Sequence, residues 1–303
     1  MIVKNQAPDL PFEQSINPYK GCEHGCIYCY ARPTHAYLGL SPGLDFETRL
    51  FAKTTGPAIL EKELRKKRYE CKVITLGANT DPYQPIERQY EISRQLLQIM
   101  SDFNQPVVII TKSALILRDI DILQKMAERN LARIMVSVTT LDNKLANLLE
   151  PRAAAPHRRI ETIQQLSEAG IPVSVNAAPM IPILNDHELE AILEASTDAG
   201  ATTAAYILLR LPMEVSELFR EWLQAHFPLK AQHVMSILRQ MRGGADYEST
   251  SGVRFRGRGP FAQLLKQRYK IACERLGLNK RSFQLDTSQF APPPQAGDQL
   301  SLF

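Results

Sequence analysis

Segments typical of β-strands and of helices alternate along residues 48–227, and this alternation restricts the possible folds more than any other feature. Three apolar runs indicate strands: "QPVVIITK" (105–112), "LARIMVSVTT" (131–140) and "IPVSVNAAPM" (171–180). Stretches with the apolar spacing of helices separate them. Such runs are typical of strands buried on both faces of a parallel sheet. With a short strand near residues 15–19, the pattern predicts about six βα units, in an open doubly wound sheet or a partial or full barrel.

Three of the five cysteines lie close together in the stretch "GCEHGCIYCYARPTH" (21–35). Cys22, Cys26 and Cys29 have the spacing C-x3-C-x2-C and follow the first candidate strand. In parallel α/β folds the functional groups gather at the C-terminal ends of the strands, where we expect this loop to lie. Thiolates bind soft or borderline metals, so the loop is predicted to hold a metal centre.

Three thiols alone do not determine which metal centre the loop holds or which group is its remaining ligand. A structural zinc site normally has four protein ligands, so zinc would need another ligand from the chain. The candidates for it are His24, His35, Cys71 and Cys273. A 4Fe–4S cluster held by three cysteines instead keeps one iron free for a cofactor or substrate, which suits catalysis.

The loop resembles the signature of the radical S-adenosylmethionine (SAM) superfamily, C-x3-C-x-aromatic-C, with Tyr28 at the aromatic position. The resemblance implies that Cys22, Cys26 and Cys29 hold a 4Fe–4S cluster whose fourth iron binds SAM. It also implies reductive cleavage of SAM to methionine and a 5′-deoxyadenosyl radical that abstracts hydrogen from a substrate. In such enzymes the cofactor carries the hard chemistry and the protein orients it.

Two stretches, "NPYKGCEHGCIYCYARPTH" (17–35) and "GANTDPYQP" (77–85), resemble the DNA-repair-photolyase-like group, whose namesake is spore photoproduct lyase. The order of elements extends this resemblance over roughly residues 12–215. It implies an α/β fold, namely a partial (β/α)6 TIM-like barrel of parallel strands, and a lyase-like function in DNA repair.

The resemblance also implies a set of SAM-binding residues at the strand ends. Thr80 and Asp81 stand where the superfamily places groups for the SAM amino group, and an ammonium favours a carboxylate and a hydroxyl. Lys112 matches a lysine directed at the SAM carboxylate. The other candidates are Tyr28 beside the cofactor, Thr139 or the competing Ser137 as a further hydroxyl, Glu150 and Arg152 in the pocket, and Asn176 at the ribose.

Several of these residues also have a plain structural explanation, and the sequence leaves both explanations open. Thr80 and Asp81 precede a proline and fit an ordinary turn. Lys112 fits a solvated strand end. Thr139 and Asn176 fit side chains that satisfy nearby backbone groups.

The residue that would return hydrogen to a product radical is not evident. Spore photoproduct lyases use a cysteine just before the Thr–Asp pair, where this chain has Ala78 and Asn79. Cys71 lies about 23 Å away at ~3.3 Å per residue, at the other end of the strand. Either Tyr28, Tyr30 or Tyr83 takes this catalytic role, or the reaction differs.

Net charge is unevenly distributed along the chain. Residues 1–229 carry 24 Lys and Arg against 27 Asp and Glu, whereas residues 230–281 carry 12 against 3. The basic segment contains "GVRFRGRGPF", which interleaves arginines with phenylalanines. Arginines bind phosphates and aromatic rings stack on unpaired bases, so Arg254, Arg256 and Arg258 are predicted to bind nucleic acid, with DNA as the expected partner. A solvated basic helix is the alternative.

The chain is predicted to have three parts: a core at 1–229, a basic helical extension at 230–281 and a mobile tail at 282–303 with a Pro-rich centre.

The tail ends in "QLSLF", which resembles the pentapeptide that docks bacterial repair and replication proteins on the sliding clamp. The alternative is that its apolar side chains fold back on the protein. The clamp-binding residues that the resemblance implies are Gln299, Leu300, Leu302 and Phe303.

Composition predicts a cytoplasmic protein, because no apolar run reaches the ~18 residues of a membrane span and the first residues lack a signal-peptide core. The first hypothesis is a SAM-dependent radical enzyme for a DNA lesion or modified base, with an electron donor such as flavodoxin or ferredoxin. One alternative is a radical SAM enzyme for a peptide or small molecule. The other is a zinc-stabilised nucleic-acid-binding module without catalysis.

Overall fold

The computed structural model describes residues 1–280 and 284–295, and two sheets contain its strands. The strands, in chain order, are β1 (Val3–Lys4), β2 (Gln14–Ile16), β3 (Tyr19–Lys20), β4 (Phe51–Ala52), β5 (Ile74–Leu76), β6 (Val107–Thr111), β7 (Ala132–Ser137), β8 (Val173–Met180) and β9 (Thr203–Leu208). The central sheet has the order β1-β2-β5-β6-β7-β8-β9, and β3 pairs with β4. In the central sheet β1 is antiparallel to β2, and all other neighbours are parallel.

Helices connect the parallel strands and cover the sheet. In chain order they are α1 (Asp45–Thr48), α2 (Gly56–Leu64), α3 (Glu87–Tyr90), α4 (Ile92–Asp102), α5 (Ile120–Glu128), α6 (Asn143–Leu149), α7 (Pro156–Glu168), α8 (Leu189–Asp198), α9 (Val215–His226), α10 (Pro228–Met241) and α11 (Gly259–Leu276). The sequence of residues 87–100 fits a single helix, but the structure divides it, because Glu91 has a left-handed φ of +48° that ends α3 and precedes α4.

The predicted α/β fold with six parallel strands is confirmed, and it agrees with a partial TIM-like barrel. All eight residues of β8 are buried, as the apolar run of this strand predicts. The edges of the sheet are β1 and β9, so the barrel remains open between them. A charged contact links the segments that follow these two strands: the Asp9 carboxylate accepts from Arg254 Nε at 2.8 Å and from the Gly252 amide at 3.1 Å.

The two helices of the predicted basic extension pack into the same hydrophobic core as the strands. Leu238 of α10 and Leu265 of α11 belong to one cluster with residues of the sheet. α11 also contacts α8, and Tyr269 of α11 donates a hydrogen bond to the Ala204 carbonyl of β9 at 2.7 Å. Among the described residues, therefore, the basic helices form an integral layer of the barrel.

Residues 284–295, here called the C-terminal strap, cross the loops that precede β5, β6 and β7. The ring of Phe290 lies 5.2 Å from that of Tyr69 and 6.3 Å from that of Phe103, measured between centroids. The amide of Ala291 donates to the Phe103 carbonyl at 3.0 Å. This part of the predicted tail thus lies against the N-terminal edge of the sheet. The expected motif at 299–303 lies outside the described residues.

Within residues 1–280 and 284–295, no helix is both long enough and apolar enough to cross a membrane.

Candidate active site

The cysteine loop, residues 21–30, comes soon after the first parallel strand and is folded by tight turns. The amide of Cys22 donates to the Phe46 carbonyl at 2.9 Å. Gly25 has φ +67°, and a Cβ at this position would overlap the guanidinium of Arg152. The turn therefore requires glycine at Gly25 both for its backbone conformation and for the close approach of a neighbouring side chain.

One buried arginine fixes this loop from the inside. Arg32 is only 1% exposed, and its guanidinium donates to the carbonyls of Cys26 at 2.9 Å and Gly25 at 3.0 Å. It also donates to both carbonyls of the 42–43 turn and, at 2.5 Å, to the carboxylate of Glu47. A guanidinium has five N–H donors, and all are used here. Arg32 therefore holds the backbone on which the cysteines stand.

The three thiols of the loop are shielded from water. Cys22 and Cys26 are 7% and 8% exposed, and Cys29 is partly buried. Burial raises the pKa of all three thiols, so the cluster-free protein carries them in the neutral form. All three are free of disulfide bonds. Binding a metal centre would thus release protons from the loop.

The other side chains proposed as a fourth ligand differ in their surroundings. His24 Nδ1 lies 3.5 Å from Asp81, and burial lowers the pKa of His24 to about 4. His35 Nε2 lies 3.0 Å from the Arg49 carbonyl, while its buried Nδ1 has no hydrogen-bond partner among the described residues. The two remaining cysteines lie elsewhere, Cys71 ahead of β5 and Cys273 on α11.

This donor set fits an iron–sulfur cluster with one open iron. Within residues 1–280 and 284–295, no group of three or more His, Cys, Asp or Glu side chains is arranged to hold a metal ion. In a cluster each thiolate binds an iron of its own, so Cys22, Cys26 and Cys29 need not converge on one point. Three thiolates on one loop would then bind three irons of such a cluster, and a fourth iron would need a ligand from outside the chain.

Thr80 and Asp81 join the loops after β5 and β6. The Asp81 carboxylate accepts from the Thr111 hydroxyl and the Lys112 amide, both at 2.7 Å, and from the Tyr83 amide at 2.9 Å. The Thr80 hydroxyl donates to a carbonyl of β3 at 3.0 Å. Both side chains predicted to bind the SAM amino group thus have partners within the protein. Their role toward SAM stays a prediction.

Glu150 is the centre of a buried polar cluster that brings four of the predicted residues together. The hydroxyls of Tyr28 and Thr139 donate to Glu150 Oε1, the latter at 2.6 Å, and Lys112 Nζ lies 3.9 Å from it. Arg159 forms an ion pair with the other carboxylate oxygen. Burial raises the pKa of Glu150, and Arg159 opposes that shift. A carboxylate this deeply buried requires such a charged partner.

Two polar groups at this edge remain available to a bound molecule. The Lys112 ammonium lies 5.8 Å from the Tyr28 ring centroid, and its side chain is 20% exposed. Asn176 of β8 is 8% exposed, and its Oδ1 has no hydrogen-bond partner among the described residues. Ser137 pairs with Asn176 in the sheet register and is buried beside it. A buried amide oxygen without a partner is costly unless a ligand or water donates to it.

The two tyrosines predicted to return hydrogen differ in accessibility. Tyr30 is 42% exposed, and its hydroxyl donates to the Ala78 carbonyl just after β5. Tyr83 is fully buried, and its hydroxyl donates to Asp119 at 3.0 Å. Only Tyr30 lies on the surface beside the cysteine loop, although both assignments stay predictions.

Several of the predicted arginines support the structure. Arg152 is 47% exposed and pairs with Glu47, which also accepts from Arg32. Arg254 pairs with Asp9 across the open side of the barrel. The guanidinium carbon of Arg256 lies 4.1 Å from the Tyr206 ring centroid, whereas Arg258 pairs with a glutamate and is 56% exposed. Of the three arginines predicted to bind nucleic acid, Arg256 and Arg258 are therefore exposed, whereas Arg254 is partly buried.

Sequence reasoning missed Arg32, Arg159 and Arg210, which the fold brings to the site. Arg32 comes three residues after Cys29, the one local signal that could have indicated it. Arg159 lies nine residues from its partner, and Arg210 stands at the end of the last strand run. Arg32 and Arg159 are buried and Arg210 is partly buried, and these positions depend on how the loops and strands pack, which a single sequence does not display.

The comparisons with known proteins agree with this arrangement. The family model described as the radical SAM superfamily matches residues 16–195. An uncharacterised protein of Mycobacterium tuberculosis (strain ATCC 25618 / H37Rv) is 34% identical over 229 residues, which cover 74% of this chain and 67% of that protein. An uncharacterised protein of Methanocaldococcus jannaschii is 27% identical over 214 residues, covering 70% of this chain and 76% of the other.

Among solved structures, the chain is similar to spore photoproduct lyase. The complex of that enzyme with dinucleoside spore photoproduct superposes with a TM-score of 0.64 at 14% identity, over 90% of this chain and 78% of that one. A mutant form of the same lyase gives an equal TM-score and covers 91% of this chain. At this level of identity the similarity concerns the fold.

Proposed function

The chain belongs to the radical SAM superfamily, and from that premise we propose that it uses a 4Fe–4S cluster to cleave SAM reductively and acts on a lesion or modified base in DNA. Membership implies SAM and an iron–sulfur cluster. When bound, they would supply one-electron cleavage of SAM to methionine and a 5′-deoxyadenosyl radical that abstracts hydrogen. The observation that carries the proposal is the cysteine loop, where Arg32 holds three buried thiols beside the strand ends.

The chain's own residues would bind and orient the cofactor. Cys22, Cys26 and Cys29 would hold the cluster, and the free Oδ1 of Asn176 can accept a hydrogen bond from a ribose hydroxyl. The ammonium of Lys112, held 3.9 Å from Glu150, can attract the SAM carboxylate. The buried cluster around Glu150 fixes Tyr28, which keeps the aromatic ring in place beside the loop.

Several features support a nucleic-acid substrate. The segment 230–281 carries 12 basic against 3 acidic residues. Exposed positive side chains lie on its helices and just after them, namely Lys230, Lys266 and Lys270 on the helices and Lys280 after α11. A solved relative by fold is described in complex with a dinucleoside photoproduct, which supports a lyase-like reaction on DNA. Positive surfaces of this kind bind the phosphate backbone in a salt-dependent manner.

Two protein partners complete the proposal. Reductive cleavage needs an electron, and a small donor such as flavodoxin or ferredoxin would supply it. The sequence motif "QLSLF" at 299–303 would bind the bacterial sliding clamp and raise the local concentration of enzyme on DNA. A pull-down of the clamp by the wild-type chain, absent for the Phe303→Ala variant, tests this partner.

Anaerobic reconstitution with iron and sulfide tests the cofactor chemistry. We expect the wild-type chain to bind about four iron atoms, to absorb in the visible range and to form 5′-deoxyadenosine with SAM and dithionite. Cys26→Ala removes one cluster ligand and is expected to abolish both signals. Cys273→Ala changes a buried cysteine on α11 and serves as the matched control, with iron content unchanged. A colourless protein that binds one zinc would contradict the proposal.

The substrate class needs a separate experiment. Ultraviolet-irradiated DNA, intact DNA and a peptide mixture are incubated in turn with SAM and the reduced enzyme, and the products are identified by mass spectrometry. A change confined to irradiated DNA supports lesion repair. Formation of 5′-deoxyadenosine with no change in any DNA, together with a modified peptide, would leave the radical chemistry intact and overturn the DNA substrate.

A further inference from the structure

Arg210 lies among three aromatic rings just after β9, at the same edge of the sheet as the cysteine loop. Its guanidinium carbon is 4.9 Å from the centroid of Tyr30, 4.7 Å from Phe255 and 6.0 Å from Tyr247. Tyr30 belongs to the cysteine loop, and Tyr247 and Phe255 belong to the loop between α10 and α11. We call Arg210 and its three rings the aromatic box.

The guanidinium of Arg210 has few polar partners. Its Nε is buried without a hydrogen-bond partner, and Nη2 has one contact, 3.4 Å to the Tyr247 hydroxyl. Among the described residues, no carboxylate lies within 4.0 Å of Arg210, whereas the neighbouring Arg254 pairs with Asp9. Unused N–H donors on a partly buried cation favour an acceptor from outside the protein.

A second buried cation adds to the positive charge of this region. Arg242 is 1% exposed and donates to the carbonyls of Leu209, Val253 and Arg254, so these acceptors are all backbone groups and none is a carboxylate. Burial and repulsion from Arg210 lower the pKa of Arg242 to about 10. An anion bound at Arg210 would reduce this repulsion between two cations.

The aromatic box borders the proposed reaction centre. Tyr30 follows Cys29 directly, and its hydroxyl donates to the Ala78 carbonyl after β5. Tyr30 is 42% exposed, so it is accessible to a molecule that also contacts the guanidinium. A molecule held here would therefore lie next to the cysteine loop.

We propose that Arg210 binds a phosphodiester of single-stranded or extruded DNA, while the ring of Tyr30 stacks on an adjacent base. A guanidinium binds phosphate oxygens through paired N–H donors, and an exposed aromatic ring stacks on unpaired bases. This inference rests on the proposed DNA substrate and assigns the groups that hold it. It makes Arg210 a substrate-binding residue rather than one that acts on the cofactor.

Binding of labelled single-stranded DNA to the reconstituted full chain tests the proposal. The probes are a fluorescent strand of about ten thymidines and the same strand with uncharged methylphosphonate linkages, measured by anisotropy over a range of salt. The variants are Arg210→Gln and Arg210→Lys. Arg158→Gln is the matched control, because it removes the same charge from an exposed arginine on α7.

We expect Arg210→Gln to weaken binding of the phosphodiester strand about tenfold and to lower the salt slope of log Kd by about 0.7. Binding of the uncharged strand should not change, because the lost partner is the phosphate charge. Arg210→Lys should restore the salt slope and only part of the affinity, since an ammonium lacks the fork of a guanidinium. Arg158→Gln should match the wild type.

Three outcomes would overturn the inference. The first is an Arg210→Gln variant that keeps its iron content and melting temperature and binds both strands like the wild type. The second is an equal loss of affinity for the charged and uncharged strands, which would assign Arg210 to packing. The third is a wild-type chain that forms 5′-deoxyadenosine but binds neither strand, which overturns the DNA substrate as well. Absence of both cluster and 5′-deoxyadenosine would be a failure of the proposed function itself.

Discussion

Different kinds of contact hold the loops at the two ends of the strands in the central sheet, which we call its C-terminal edge and its N-terminal edge. At the C-terminal edge, Arg32, Glu150 and Arg159 are buried charges, each held by several hydrogen bonds or ion pairs. At the N-terminal edge, the C-terminal strap covers the loops through aromatic packing of Phe290 and through hydrogen bonds that involve backbone groups. One edge is organised around buried charges, and the other around an aromatic ring and backbone hydrogen bonds without a buried ion pair between the strap and the loops in the described residues.

The difference follows from what each edge must do. Directional bonds between buried charges cost desolvation, but they permit one orientation only. A cofactor site needs that orientation, because a small displacement of reacting groups costs much of the rate. Apolar contacts stabilise without fixing angles closely, which is sufficient for a cover. Substitutions at the two edges should therefore separate stability from cofactor binding.

Glu150→Gln is the strongest test of the C-terminal edge. It leaves the guanidinium of Arg159 buried without a carboxylate, so we expect a loss of about 3–5 kcal/mol in the free energy of unfolding, measured with urea on the cluster-free protein. Glu161→Gln, which alters an exposed pair with Arg158, is the control and should change it by less than about 0.5 kcal/mol. Equal losses in the two variants would contradict a special role for the buried cluster.

Arg32→Lys tests whether the guanidinium holds the shape of the cysteine loop in addition to stabilising the fold. Lysine keeps the charge but leaves several backbone carbonyls without donors, so the free energy of unfolding should fall by roughly 2 kcal/mol. Iron bound per chain after reconstitution should fall at the same time, because the loop loses its support. An unchanged iron content would show that the loop keeps its shape without the guanidinium.

Phe290→Ala tests the N-terminal edge. The ring is only partly buried, so we expect a loss of roughly 2 kcal/mol in the free energy of unfolding, below that of a fully buried phenylalanine. Iron content and 5′-deoxyadenosine formation should stay at the wild-type level. Leu229→Ala, at a side chain that is 99% exposed, provides the control. Loss of iron in Phe290→Ala would show that the edges are not independent.

Asp9→Asn tests the ion pair with Arg254 across the open side of the barrel, and it should have the smallest effect on the free energy of unfolding. Burial raises the pKa of Asp9, but hydrogen bonds from Arg254 and the Gly252 amide outweigh this, and the pKa is lowered. A lowered pKa stabilises the fold above the unfolded-state value near ~4, and this contribution disappears as pH falls through the folded value. The free energy of unfolding of the wild type should exceed that of Asp9→Asn by up to about 1 kcal/mol at neutral pH, and the difference should disappear as pH falls through the lowered pKa of Asp9. A constant difference would exclude Asp9 ionisation as its source.

Local patterns in the sequence predicted the parallel fold. The apolar runs of β6, β7 and β8 are visible within windows of ten residues, because strands buried on both faces are apolar at nearly every position. The cysteine spacing is also local, and the family match supports its interpretation. The interruption of the helix at Glu91 was not predicted, because residues 87–91 contain no glycine or proline that would mark a break.

Contacts between segments that lie apart in the sequence could not be predicted from such local patterns. Nothing distinguishes the buried Arg159 from the exposed Arg158 beside it, since burial depends on Glu150 and the neighbouring strand. The strap was expected to be a mobile tail because of its prolines, and its packing depends on aromatic residues almost two hundred positions away. Charge counts likewise did not separate Arg254, engaged with Asp9, from Arg258, which is largely exposed.

The position of the C-terminal strap has a consequence for synthesis. A ribosome makes β5, β6 and β7 well before residues 284–295, so the N-terminal edge of these strands remains uncovered while the later segments are translated. Uncovered strand ends and apolar side chains on nascent chains promote association with other chains. The strap, the last described part of the chain, therefore covers strands that are made much earlier. Truncated chains that lack residues 284–295 should depend most strongly on chaperones for folding.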